Sequence, residues 1–237
     1  MTPEDQPPPI LNDDREQLAS DPGDVDALFA SIAAQTVDKP PSPRETLRAL
    51  PTATRTAAAL GLMLVIGAIA IAIQGLRNDL SGADLTRFVA SIMILAAVCA
   101  GSAGLALRGM HKQAIEPGMA WGMAIFALAL PMLFASLPGW WPGMLIPAEA
   151  GWTPHFRCFG RGLLATVGTS TSVMLFMRAD GPAHYRLAAA AGSGGLAGMA
   201  IQQLYCAGVN PLHLIGSHGS LGLAVGGIVL LVAAGKR

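Results

Sequence analysis

Six apolar runs dominate this chain, each long enough to cross a hydrocarbon core of about 30 Å at a helical rise of about 1.5 Å per residue. They lie near Thr56–Gly75, Phe88–Leu107, Gly118–Leu137, Phe159–Met177, Leu187–Tyr205 and Gly216–Ala234. A segment crossing lipid has no water to bind its peptide groups, so it must satisfy them within itself, as a helix does. The spacing therefore predicts an all-α fold, a six-transmembrane-helix bundle over residues 56–237 preceded by a segment of residues 1–55 on the water side. Composition agrees: only 13% of the 237 residues are charged, against about 25% in a soluble domain, and the mean hydropathy is +0.50.

The front of the chain obeys different rules. Glu4, Asp5, Asp13, Asp14, Glu16, Asp21, Asp24, Asp26 and Asp38 precede Pro40, opposed only by Arg15 and Lys39. Residues 1–20 carry too little apolar surface to offset chain entropy and read as disordered. From Asp24 to Val37 a helical period appears. Val25, Leu28, Phe29, Ile32 and Ala33 share one face, and Asp24 stands at the N-cap position. The prolines at 40, 41 and 43 end this short amphipathic helix. The opening Met1-Thr2-Pro3-Glu4-Asp5 lacks the basic start of a cleavable signal, so the first apolar run is expected to serve as both address and anchor.

Lys and Arg near the span ends set the orientation. With the N-terminus inside, Arg44, Arg48, Arg55, Arg108, Lys112, Arg178, Arg186, Lys236 and Arg237 lie inside, against Arg77, Arg87, Arg157 and Arg161 outside. Both termini are therefore expected in the cytoplasm, with loops 76–87, 138–158 and 206–217 outward. Trp140, Trp141 and Trp152 then fall at the outer headgroup level, where amphipathic rings collect. Small residues crowd the second and fifth spans, from Ala96 to Gly104 and Ala188 to Gly195, and suit close helix packing.

Ionisable groups are scarce inside the spans, with Arg161 and Gln202-Gln203 the main polar exceptions. That disfavours ion-coupled transport, which needs charges at membrane depth. No phosphate-binding Gly-rich loop, HExxH or Gly-x-Ser-x-Gly is present, which leaves enzyme readings without a foothold. Thiols and imidazoles gather on the outward side instead. Cys158 opens the fourth span, Cys206 closes the fifth, and His155, His213 and His218 stand in or beside the same loops. Two chemistries fit them: a Cys158–Cys206 disulfide, or copper or zinc held by Cys158, Cys206, His213 and His218. Cys99, within the second span, reads as packing. On the inner side, the apolar face of Val25, Leu28, Phe29 and Ile32 beside an acidic leader suits the groove of a basic partner.

This layout, a DALFASIAA helix, then PRETLRALPTATR running into the first span, then Cys158, the Arg178 turn, the Gly-rich stretch Gly192–Gly198 and the LYC ending at Cys206, resembles the NrsF family of membrane anti-sigma factors. The resemblance covers nearly the whole chain as architecture and sparse motifs. It implies a negative regulator in the bacterial inner membrane that sequesters an extracytoplasmic-function sigma factor and contacts no nucleic acid itself. It also implies that residues around Val25–Ile32 hold the sigma factor and that Cys158 and Cys206 sense oxidants or metals. The leader here is longer and more acidic than the family pattern, and His213 and His218 are additions to it. The alternative is a small transporter or metal-handling protein using the same Cys/His set as an entry site.

Overall fold

The computed structural model describes residues 42–108, 115–137, 140–143, 151–177 and 184–235, together with Val25, Ala27, Ala30 and Ser31. The chain divides into two compact units, residues 1–43 and 44–237. The division falls ahead of Arg55, the boundary expected from sequence. In the first unit Val25, Ala27, Ala30 and Ser31 are helical and exposed. Leu28, Phe29 and Ile32 lie outside the described residues.

From the division onward the chain is built of helices: α1 (Pro43–Ala49), whose first residue closes the first unit, α2 (Thr52–Gln74), α3 (Gly82–Ala106), α4 (Pro117–Ser136), α5 (Thr153–Leu175), α6 (His184–Tyr205) and α7 (Pro211–His213). A π-helical turn, Leu214–Gly219, joins α7 to α8 (Ser220–Ala234). Among the described residues, four helical segments are long and apolar enough to cross a membrane: α2, α3, α4 and the continuous Pro211–Ala234. These suit a multi-pass membrane protein. The fourth and fifth expected spans are present as helices of 23 and 22 residues, α5 and α6. Both are long enough, but Arg157, Arg161, four threonines and three serines make the two less apolar than the others.

The reason lies in where they sit. α6 packs against α3, α4, α5 and α8 and is buried along nearly its whole length. Its residues are chosen for small size, because a Cβ added at Gly195 would come 2.5 Å from the Gly222 Cα of α8, and one at Gly194 would come 2.6 Å from the Ser170 Cα of α5. Hydroxyls then bridge the helices. Ser102 Oγ donates to the Ala189 carbonyl (2.7 Å), Thr169 Oγ1 to the Gly194 carbonyl (2.9 Å) and Ser193 Oγ to the Cys99 carbonyl (3.1 Å). Large apolar side chains point the other way: Leu64, Ile73, Leu164 and Leu231 are each more than 70% exposed, an arrangement foreign to a water-facing surface.

Arginines close one end of the bundle. Arg55, fully buried, donates from Nη2 to the Leu107 carbonyl (2.8 Å), from Nη1 to the Phe176 carbonyl (3.1 Å) and from Nε to the Leu50 carbonyl (3.0 Å). It thus caps the C-terminal ends of α3 and α5, where the helix carries partial negative charge. Arg186 Nε reaches the Ala106 carbonyl beside it (2.9 Å). From sequence both arginines are topogenic charges; burial gives them a second, structural task.

Replacing Gly195 by Val should lower stability by about 1–3 kcal/mol through overpacking against α8. Gly61→Ala, where an added Cβ meets nothing within 4 Å, should be neutral or mildly stabilising. Thermal unfolding of the detergent-purified protein checks both, and equal Tm values would refute the close α6–α8 approach.

Candidate thiol and imidazole centre

At the opposite end of the bundle, four helical segments deliver the side chains that sequence reading grouped only by depth. Cys158 lies one and a half turns inside α5, which begins at Thr153 rather than at Phe159. Cys206 follows directly on α6. His213 ends α7, in helical structure and not in the outward loop expected of residues 206–217, and His218, expected beside that loop, lies in the π-turn. The winding matters because a π-helix bonds residue i to i+5. A spacing of five, unremarkable across a loop, places His213 and His218 on one face with ring centroids 5.0 Å apart.

The sulfurs of Cys158 and Cys206 stand 3.4 Å apart, unbonded. His218 Nε2 is 3.1 Å from the Cys158 sulfur and His213 Nε2 is 3.2 Å from the Cys206 sulfur. One ligand atom from each residue falls within 4.8 Å of all the others. A tetrahedral zinc with Zn–S near 2.3 Å and Zn–N near 2.0 Å would separate its ligands by about 3.3–3.8 Å. The set therefore fits a Cys2His2 ion once the short contacts open slightly and the wider pairs, within 4.8 Å, close, and its soft donors suit Cu(I) or Zn(II). A disulfide would need the sulfurs to close to about 2.05 Å, while the imidazoles, one on each sulfur, would then have no thiolate to serve.

Outer partners orient each ligand. His155 Nδ1 lies 3.1 Å from His213 Nδ1, and Gln203 Nε2 lies 3.0 Å from His218 Nδ1. Gln202 Nε2 donates to the Cys158 carbonyl (2.9 Å) and to the Ser217 carbonyl (3.0 Å), tying α5 to the π-turn. The Gln203 Oε1 is buried with no partner. Turning that amide over would let Oε1 accept from His218 Nδ1–H and leave the Nε2 lone pair for a metal, the usual support of a ligating histidine. Gln202 and Gln203 read from sequence as polar exceptions; their role as supports needed the fold, because it depends on which face of α6 meets the π-turn.

Electrostatics separate the two thiols. The Cys158 thiol, donating to the Cys206 sulfur, and the His213 imidazole beside it hold Cys206 far below the ordinary thiol range, against the opposing effect of burial. Arg77 fixes the backbone there: it donates from Nη1 to the Cys206 carbonyl (3.3 Å) and from Nη2 to the Pro142 carbonyl (2.9 Å), pairs with Asp79 (2.7 Å) and lies over the Phe88 ring. Sequence counted it only as an outside charge. Cys99 contacts Ser193 and Met63 in the bundle interior, a packing role as expected.

Of the three tryptophans expected at the outer headgroup level, two make contacts within the bundle. Trp141 is buried against Phe88 and Phe134, its Nε1 donating to the Phe134 carbonyl (3.1 Å), and Trp140 donates to Ser91 (2.9 Å). Only Trp152 is largely exposed, against His155 and Phe156.

No family model, curated protein or solved structure matches this chain.

Titrated with Zn(II) in detergent, the protein should bind one equivalent, and Cys158→Ser with Cys206→Ser should abolish it. Gln203→Leu, which leaves all four ligands, should weaken binding about 10–100-fold. Unchanged affinity in the double serine variant would exclude these ligands.

Proposed function

We propose that this chain is a membrane-bound anti-sigma factor that holds an extracytoplasmic-function sigma factor through residues 1–55 and releases it when an envelope signal, a soft metal ion or an oxidant, engages Cys158, Cys206, His213 and His218. The observation that carries the reading is the convergence of those four residues from three separated stretches of chain to within 4.8 Å. A site assembled that way reports on helix packing, since occupying it fixes α5, α6 and the π-turn relative to one another.

In this reading all six long helices span the bacterial inner membrane and both termini are cytoplasmic. The excess of Lys and Arg at one set of helix ends supports the orientation. The composition of α5 and α6 is compatible with spanning. α6 is enclosed by neighbours and has little lipid to face, while α5 turns Leu164, Val167 and Leu175 outward. α5 is also the physical link between the two ends, with Cys158 near its start and the Phe176 carbonyl held by Arg55 at its finish.

An acidic leader ahead of an apolar helical face complements a sigma factor, whose surfaces are basic for DNA and polymerase. Sequestration asks for no catalytic group. Moving such a switch from 1:99 to 99:1 takes about 5.5 kcal/mol of preference for one state, within reach of thiolate–metal ligation.

The test uses the full chain in nanodiscs, tagged at its C-terminus, with captured proteins read by mass spectrometry. A sigma factor should be retained by the wild type, lost with Leu28→Asp/Phe29→Asp, and released on adding Cu(I) or Zn(II) unless Cys158 and Cys206 are serine. Absence of a sigma factor from the wild-type capture would move the reading to transport, which vesicle uptake of the same ions measures.

A further inference from the structure

The two thiols are reached through a cavity of about 300 Å³ whose walls include Arg157, Arg161, Tyr205, Cys158, Cys206 and His213. Arg157 and Arg161 stand four residues apart on α5, hence on one face. Both are exposed, and neither has an acidic partner among the described residues. Asp79 and Asp84 are each paired with an arginine of their own, Arg77 and Arg87. The wall of the cavity that faces solvent is thus cationic while its floor carries two sulfurs. A rim of that sign repels bare metal cations and concentrates anions. Its volume is at the lower end of the range for small-molecule sites.

We propose that this cavity is an anion-selective site for a small carboxylate-bearing disulfide, with Arg157 and Arg161 engaging its carboxylates and Cys206 and Cys158 exchanging with its sulfurs. It rests on the preceding reading only in taking those two cysteines as the reacting pair. Cys206 Sγ attacks one sulfur of the disulfide, a mixed disulfide forms, and one thiolate of the reagent leaves. Cys158, 3.4 Å away, then displaces the second thiolate and closes a Cys158–Cys206 bond. The two cysteines lose two electrons and two protons, and the disulfide departs as two thiols. Arginine suits the first contact because its planar fork binds carboxylate in a bidentate manner. The same rim would admit a soft metal more readily as an anionic thiolate complex than as a free cation.

The experiment follows thiol exchange by the full-length Cys99→Ser protein in alkyl maltoside at low ionic strength. The dianion 5,5′-dithiobis(2-nitrobenzoate) is compared with the neutral 4,4′-dithiodipyridine. Arg157→Gln/Arg161→Gln should slow the dianion about tenfold and leave the neutral reagent unchanged, Arg157→Lys/Arg161→Lys should recover much of the loss, and about 0.5 M salt should erase the difference. Equal rates of the dianion with wild type and the glutamine variant would overturn the anion site while leaving sensing intact. Selectivity present in maltoside but absent in phosphatidylcholine nanodiscs would assign the two arginines to lipid phosphate and overturn it as well. If neither reagent modified Cys158 or Cys206 in the wild type, the sensing reading would fall with it.

Discussion

Everything at either end of this molecule depends on how closely its helices approach α6. Between helices in hydrocarbon, apolar surface alone gives little net attraction, so association relies on dispersion at short range and on hydrogen bonds across the gap. Glycine, alanine and serine along α6 satisfy both demands. Gly195 meets Gly222 backbone to backbone, and Ser193 and the carbonyls of Ala189 and Gly194 exchange hydrogen bonds with α3 and α5. A larger side chain at these positions would separate the helices and with them the carriers of Cys158 and Cys206. The precision of the thiol centre is borrowed from that seam.

Much of this was legible in the sequence, and for a definable reason. Apolar runs of membrane length leave the backbone one solution, so the helical architecture and its approximate bounds followed from composition. The small-residue stretch Ala188–Gly195 announced a packing face. Cys158 and Cys206 were placed at one depth by counting antiparallel spans. Depth, however, fixes only one coordinate of three. Which helix faces its neighbour, and at what rotation, is set by tertiary packing, and so Gln202, Gln203 and Arg77 were invisible as supports of the centre. Arg55 and Arg186 read from sequence as topogenic charges alone for a similar reason: a cation near a span end serves topology in any sequence, and only burial against the Leu107, Phe176 and Ala106 carbonyls adds a cap to an anchor.

The two ends of the bundle differ in chemistry yet share an element. One end is closed by guanidinium groups on helix carbonyls, contacts that involve no redox or metal chemistry. The other holds thiols and imidazoles, whose charge and bonding respond to redox state and metal supply. α5 runs between them. A rotation or axial shift of that helix imposed at Cys158 cannot leave the Arg55 contact at Phe176 unaffected, because a close-packed interior does not absorb displacement gradually. Such an arrangement, a variable end and an invariant end joined by a stiff rod, is what a converter of chemical state into position requires.

The π-turn at Leu214–Gly219 has an evolutionary side. Each residue of an α-helix advances the side chain by about 100°, and the wider π winding, which bonds residue i to i+5, advances it by less. The six residues of the turn therefore sweep about the same angle as five would in an α-helix, and α8 leaves the turn in nearly the register it would have without the extra residue. Gly222 keeps its place against Gly195 while the widened turn carries His218 beside His213. The extra residue is absorbed where it stands, so a lineage descended from this sequence could lose one residue here and keep the seam, whereas a larger change in length would turn α8 out of it.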